Sequence, residues 1–176
     1  MPFIYKIATI NINGISSANR ILLLGEFLFQ NDIDIALLQE VTTNNLTSIC
    51  NYTVFDNIGT DGRGTAILAK PGINLTEVKR LPSGRGIAAS FFGTKIVNIY
   101  APSGAEKKRV ALIMLIIALQ FDVSTSKNTR TLNCLVVSFH SSVLRNVMCS
   151  CTEGMKLCRQ TYRLYHVYHF SFVVTS

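Results

Sequence analysis

The chain has 176 residues, enough for one domain with a core, and 17 Lys and Arg against 10 Asp and Glu give it a formal net charge of +7. Hydrophobic residues make up 48% and charged residues 15%, against ~25% charged in ordinary globular domains, and the mean hydropathy is +0.32. Collagen-like, coiled-coil and polar disordered classes are excluded, and the chain is greasier than an ordinary soluble enzyme.

Residues 3–12 alternate apolar and polar positions, which predicts a strand, and Asn13-Gly14 stops it with a turn-prone pair. Ser16 or Ser17 caps a following helix in which Ile21, Leu24, Phe27 and Leu28 recur at helical spacing, ending around Gln30-Asn31. Residues 34–41, Asp-Ile-Ala-Leu-Leu-Gln-Glu-Val, read as a strand buried on both faces, which completes a βαβ unit. Short strands at 52–57, 65–70, 75–81, 86–92 and 95–100 then form a meander of hairpins, closed by Ala101-Pro102-Ser103-Gly104. Glu106-Lys-Lys-Arg109 opens a predicted helix through the apolar run 110–121, which at 12 residues is short of the ~20 a bilayer span needs.

The chain changes character near residue 110. Residues 1–110 hold 11 Lys and Arg and 8 Asp and Glu, whereas 111–176 hold 6 and 2, so the second stretch carries +4 of the +7. All three histidines and four of the five cysteines also fall there. This divides the chain into 1–109 and a divergent apolar tail, 110–176. No secretory signal opens the sequence, so an intracellular, nuclear or cytoplasmic location with reduced thiols is expected, with no membrane and no evident protein partner.

A right-handed crossover makes the first two strands parallel and brings their carboxyl ends together. Asn11 or Asn13 then lies beside Gln39-Glu40, at the edge where open α/β sheets bind ligands. An amide and a carboxylate there suit a hard cation or a phosphate. The plainer alternative is that Asn13 makes a turn and Glu40 is a solvated strand end.

Four segments carry a resemblance: Ala8-Thr-Ile-Asn-Ile-Asn-Gly-Ile15, Asp34-Ile-Ala-Leu-Leu-Gln-Glu-Val41, Gly62-Arg-Gly-Thr-Ala-Ile-Leu68, and Gly84-Arg-Gly-Ile-Ala-Ala followed by Ile96-Val-Asn-Ile-Tyr-Ala-Pro-Ser103. In that order they resemble the endonuclease/exonuclease/phosphatase superfamily, and more narrowly the endonuclease domain of LINE-type (non-LTR) retrotransposons, over roughly residues 3–109. The resemblance implies an α/β fold, here an incomplete two-sheet sandwich with a divergent tail, together with Mg²⁺ and a DNA substrate. It also implies that Asn11 helps hold the scissile phosphate and the metal's water, that Glu40 binds Mg²⁺, and that the Tyr100 hydroxyl contacts the phosphate. Ser103 stands where many relatives have Asn. Without the resemblance, Tyr100 reads as a half-buried strand aromatic.

The family also supplies an Asp-x-Asn pair, whose Asp acts on the attacking water, and a late Ser-Asp-His segment. Neither is present. Asp122 is the only Asp beyond residue 61 and has Ser two residues on, and no Asp adjoins His140, His166 or His169. Leu135-Val-Val-Ser-Phe-His140 has the rhythm of a degraded apolar-Gly-Asp-Phe-Asn strand, with Ser138 and His140 in the critical places. These losses imply a Mg²⁺-dependent DNA endonuclease by descent that is inactive as it stands, truncated after its Tyr-Ala-Pro motif. The rival is a non-catalytic nucleic-acid-binding fragment, or the unstable product of a decayed element.

Cys149, Cys151, Cys158, His166 and His169 could instead form a zinc site, although the spacing departs from the usual knuckles. On a helix the two histidines would share a face, and on a strand they would lie on opposite faces. Arg63, Lys79, Arg80, Arg85 and Lys107 to Arg109 could line a DNA surface or simply be solvated. The expected structure is half a sandwich over 3–104, with Asn11, Glu40 and Tyr100 at one edge, and an irregular stretch over 111–176.

Overall fold

The computed structural model describes residues 3–100, except 16, 43, 44, 50 and 93, and the backbone of 135–140, 147–150, 156–162 and 165–174. Strand β1 (Phe3–Asn11) leads into helix α1 (Ala18–Gln30) and then β2 (Ile35–Val41), which pairs in parallel with β1. The Ser17 side chain caps the helix by accepting from the Arg20 N–H at 3.4 Å. The helix ends in a 6→1, 5→2 pair of bonds, Ile33 N–H to the Leu28 carbonyl and Asp32 N–H to that of Phe29, with Asp32 at φ +54°. The meander follows as β3 (Thr53–Ile58), β4 (Gly64–Ala69), β5 (Thr76–Arg80), β6 (Gly86–Phe91) and β7 (Thr94–Tyr100).

The fold is α/β, a sandwich of two sheets, as the sequence implies. The expectation of an irregular stretch over 111–176 is corrected: β8 (Leu135–His140), β9 (Val147–Ser150), β10 (Lys156–Tyr162) and β11 (Tyr165–Val174) lie in it and extend both sheets. One sheet runs β10-β11-β1-β2-β4-β3 and the other β5-β6-β7-β8-β9. The tail is rich in Val, Phe and Tyr, which suit a pleated surface, but a strand finds its partner only through distant pairing that local turn signals do not announce. The predicted helix from 106 and the apolar run 110–121 lie outside the described residues. Among the described residues no helix is long and apolar enough to cross a membrane.

Alternation along each strand sorts the core into two layers. Ala8, Ile10, Ala36, Leu38, Ala66 and Leu68 pack beneath Ile21, Leu24 and Leu28 of α1. Ile7, Ile35, Leu37, Ile67 and Ala69 face Ile87, Ala89, Phe91 and Ile96 across the gap between the sheets. Burying both faces of β2 and β4 explains their unbroken apolar runs.

Polar groups bind the two sheets together. The buried Gln39 amide of β2 donates to Thr9 Oγ1 at 3.0 Å and to Asn98 Oδ1 of β7 at 2.7 Å. Asn98 Nδ2 in turn donates to the carbonyls of Leu38 and Ala66 at 2.8 and 2.9 Å, so both ends of a fully buried amide are satisfied by the opposite sheet. This fixes where the carboxyl end of β7 sits over those of β1 and β2. Close backbone approach does the same at the loops, because a Cβ on Gly84 would lie 2.0 Å from the Gly59 nitrogen.

Candidate functional site

The carboxyl ends of β1, β2 and β7 and the starts of β4 and β6 share one edge. Val41 pairs with Gly64, and the Tyr100 N–H donates to the Arg85 carbonyl at 2.9 Å, so the loops before β4 and β6 open onto it. Asn11, Glu40, Arg63, Arg85 and Tyr100 therefore gather from five separate segments.

Glu40 reaches this edge through a β-bulge. The β2–β4 register shifts between Gln39 and Val41, and Glu40 adopts φ +58°. Strict alternation would send Val41 into the gap between the sheets, yet Val41 packs on the helix side, so Glu40 is the extra residue of the strand. A left-handed conformation costs an L-residue about 1–2 kcal/mol, and the bulge spends it on aiming a carboxylate out of the ladder.

Asn11 meets that carboxylate. Its Nδ2 donates to Glu40 Oε1 at 2.8 Å, while its Oδ1 accepts from the Asn13 N–H at 2.7 Å. Both ends of the amide are engaged, which fixes its orientation. Asn13 takes the turn role, with φ +45° followed by Gly14 at +67°, and Arg20 of α1 pins the loop by donating to the Ile12 and Gly14 carbonyls. The turn is thus made by Asn13, and the amide that meets the Glu40 carboxylate is that of Asn11.

Tyr100 is buried at the end of β7, with the Arg85 guanidinium 5.8 Å from its ring centroid. The exposed Arg63 guanidinium is held above its usual range first by hydrogen bonding to the Tyr100 side chain and then by the nearby charges of Tyr100 and Glu40. Arg85 pairs with Asp61 at 2.8 Å, and its buried Nη1 has no hydrogen-bond partner. Asp61 is itself held below the usual carboxylate range, chiefly by the Arg63 N–H and also by Arg85. Asp61 therefore stays ionised and is a poor proton acceptor.

Sequence reasoning placed Asn11, Glu40 and Tyr100 at this edge and offered Arg63 and Arg85 as part of a basic DNA surface, but gave no role to Asn98 or Thr9. A polar Asn98 inside the apolar run Ile96-Val-Asn-Ile was the available signal, because a buried strand amide must find a partner. Ser103 lies outside the described residues, as do Asp122 and Lys107 to Arg109. Of the five candidate zinc ligands Cys151 lies outside the described residues, and Cys149, Cys158, His166 and His169 are described in backbone only. Of that cluster, His166 and His169 sit three apart on strand β11, the second of the two placements the sequence allows, and hence on opposite sheet faces. Lys79 and Arg80 end β5, where Arg80 pairs with Ile87 of β6 and donates to the Asp56 carbonyl at 2.6 Å.

No group of three His, Cys, Asp or Glu side chains able to hold a metal forms among the described residues. Glu40 alone still fits a hard divalent ion that arrives with its waters and with phosphate oxygens, since such an ion needs only one or two protein carboxylates. A largely apolar groove of about 980 Å³ lies elsewhere, lined by Leu22 and Phe29 of α1 with Tyr52 and Lys70.

No protein-family model matches the chain, and no curated protein matches it. Among solved structures, it is similar to an AP endonuclease from Archaeoglobus fulgidus, with 25% identity, a TM-score of 0.55, and coverage of 77% of this chain and 56% of that one. It is similar to D. rerio TDP2 complexed with a single-strand DNA product, at 12% identity and TM-score 0.63, covering 98% of this chain and 99% of that one. It is also similar to an endonuclease/exonuclease/phosphatase family protein from Bacteroides thetaiotaomicron, at 16% identity and TM-score 0.59, covering 79% of this chain and 62% of that one. The chain thus spans little more than half the length of the Archaeoglobus enzyme. By fold, its structural neighbours are members of the endonuclease/exonuclease/phosphatase superfamily, an AP endonuclease among them.

Proposed function

We propose that this chain descends from the DNA-cleaving endonuclease of a LINE-type retrotransposon, that it retains the half of the site that grips phosphate and metal, and that it has lost hydrolysis with Mg²⁺. The observation that carries the reading is the 2.8 Å bond from Asn11 Nδ2 to Glu40 Oε1, formed at the edge where Arg63 and Tyr100 also stand.

In that lineage water attacks a DNA phosphodiester. Mg²⁺, when bound, would neutralise charge building on the phosphate, with Glu40 as its protein anchor. Asn11 orients the Glu40 carboxylate, and Arg63 and Tyr100 present donors to phosphate oxygens. Hydrolysis also needs a group to take the proton of the attacking water. Asp61 is the other carboxylate described at this edge, and it is engaged by Arg85 and by the Arg63 N–H. The described tail strands contain neither Asp nor Glu. The division at residue 110 and an intracellular location belong to the same proposal.

The test is nicking of supercoiled plasmid in Mg²⁺ by the full chain and by Glu40→Ala. Equal, background-level nicking is expected, since losing one member of a catalytic unit costs ~10²-fold or more. Glu40-dependent nicking would overturn the loss of hydrolysis. The rival reading, a non-catalytic nucleic-acid-binding fragment, is favoured by the exposed Arg63 guanidinium at this edge, and retained DNA binding without nicking is its signature.

A further inference from the structure

The backbone register of the tail brings two histidines to the same edge. In the antiparallel pairing of β1 with β11, His166 stands opposite Asn11. In the parallel pairing of β7 with β8, His140 stands beside Tyr100. Directly paired residues occupy one face of a sheet. Asn11 follows Ile7 and Thr9 on the face of β1 that looks into the gap between the sheets, and Tyr100 follows Ile96 and Asn98 on the corresponding face of β7. His166 and His140 are therefore placed on the two inner faces, one from each sheet.

The stacking of the sheets adds to this. β6 lies across β3 and β4, and β7 across β4 and β2, and β8 and β1 are the next strands along their respective sheets. His140 ends β8 and Asn11 ends β1. The edge thus collects two imidazole-bearing positions and the Glu40 carboxylate, and the described tail strands add no acidic residue. His169 is set apart, since it pairs with Ala8 and Cys158, and Ala8 packs on the helix side.

Ligand chemistry separates divalent ions. Carboxylate, carbonyl and water suit Mg²⁺, whereas imidazole suits borderline ions such as Zn²⁺. Resting on the reading that this edge holds a metal at Glu40, we propose that the juxtaposition of His140, His166 and Glu40 makes it a site for Zn²⁺ in preference to Mg²⁺. The two sheets would then be linked by an ion as well as by the Gln39–Asn98 bond.

The experiment titrates the full chain with Zn²⁺, and with Co²⁺ as a spectroscopic probe, by calorimetry and visible absorption. The wild type is expected to bind one ion that excess Mg²⁺ does not displace. His140→Ala, His166→Ala and Glu40→Gln should each weaken it by on the order of 10- to 100-fold. His140→Gln and His166→Gln, with circular dichroism of every variant, guard against loss of a strand. Cys158→Ser combined with His169→Ala should leave binding unchanged and should remove no thiolate absorption from the Co²⁺ spectrum. Binding lost in that double variant but kept in the folded histidine variants would overturn the proposal and move the site to the other face. Binding that survives Glu40→Gln, or an ion readily displaced by Mg²⁺, would overturn it too. None of these outcomes depends on nicking, so the proposal can fail while the descent from an endonuclease stands.

Discussion

At the end of the sandwich where α1 runs into β2, Lys70 Nζ lies 2.5 Å from Asp32 and 3.0 Å from Asp34, and Lys6 lies 3.6 Å from Asp32. The Lys6 N–H also donates to Asp34 at 2.8 Å, and the Tyr52 hydroxyl to the Ile33 carbonyl. The opposite end, built on the same strands, is arranged differently. Glu40 receives an amide rather than an ion pair, Arg85 keeps one buried nitrogen without a partner, and a left-handed residue interrupts a ladder. Left-handed backbone occurs at both ends, but Asp32 uses it to close a helix, whereas Glu40 uses it to present a carboxylate. One end neutralises its charges internally, and the other leaves strain and hydrogen-bonding capacity for a ligand.

The largest effect should come from the buried bonds that hold the ends in register. Asn98→Leu removes three inter-sheet hydrogen bonds at once. Buried groups left without partners cost about 1–3 kcal/mol each, so a loss of at least about 3 kcal/mol is expected from urea denaturation. Lys70→Met, which breaks partly exposed ion pairs, should cost no more than about 1 kcal/mol. A larger loss from Lys70→Met than from Asn98→Leu would reverse the ranking of buried amides over surface charges.

Next in size is DNA binding. Arg63→Ala should weaken binding several-fold and reduce the salt dependence by about one phosphate contact. Lys70→Ala removes the same charge from the opposite end and should leave the slope unchanged. Equal effects at the two ends would mean that binding follows net charge alone, with no edge preferred.

Much of this contrast is legible in the sequence. The βαβ pattern puts Asn11 and Glu40 together by a general rule of handedness, and the hairpin turns bring Arg63, Arg85 and Tyr100 round to the same edge. What sequence alone leaves out is decided by contacts between layers. No periodicity announces that Glu40 is an extra residue in its strand, because the bulge follows from Val41 packing under the helix. The bond from Gln39 to Asn98 requires knowing which strands stack. Among the tail strands, β11 pairs with β1 more than a hundred positions away and β8 with β7 forty positions away, and apolar runs with few turns do not encode that choice. The resemblance supplied roles for Asn11, Glu40 and Tyr100 and named an Asp-x-Asn pair and a Ser-Asp-His segment as missing, whereas it is the register that brings His140 and His166 to this edge.

A smaller effect isolates the strain at the bulge. Glycine tolerates φ +58° and alanine does not, so Glu40→Gly should be more stable than Glu40→Ala by about 1 kcal/mol. Both lose the carboxylate, so the difference reports backbone alone. Equal stability in thermal unfolding would mean that the bulge relaxes when Glu40 is removed and that the carboxylate's bond to Asn11 holds it.

The smallest predicted effect lies at the closed end and concerns alkaline stability. Burial pushes the Tyr52 phenol up to about 12 from 10.0, with the charges of Asp34 and Asp32 adding to it against that of Lys70. Between those values the folded state holds a proton that the unfolded state has released. The associated stability is therefore fully present below pH 10 and is lost as pH rises through about 12. Lys70 complicates the same range: desolvation pushes it down, but its hydrogen bonds to Asp32 and Asp34 outweigh this and hold it above its usual value. Its contribution is likewise lost on the alkaline side. Tyr52→Phe separates the two, since phenylalanine cannot ionise and Lys70 keeps both partners. The variant should be slightly less stable near neutral pH, for want of the bond to the Ile33 carbonyl, and should lose stability more gently above pH 10. Parallel alkaline limbs for the two proteins would assign the loss to Lys70, and the closed end would then depend on its ion pairs rather than on its buried hydroxyl.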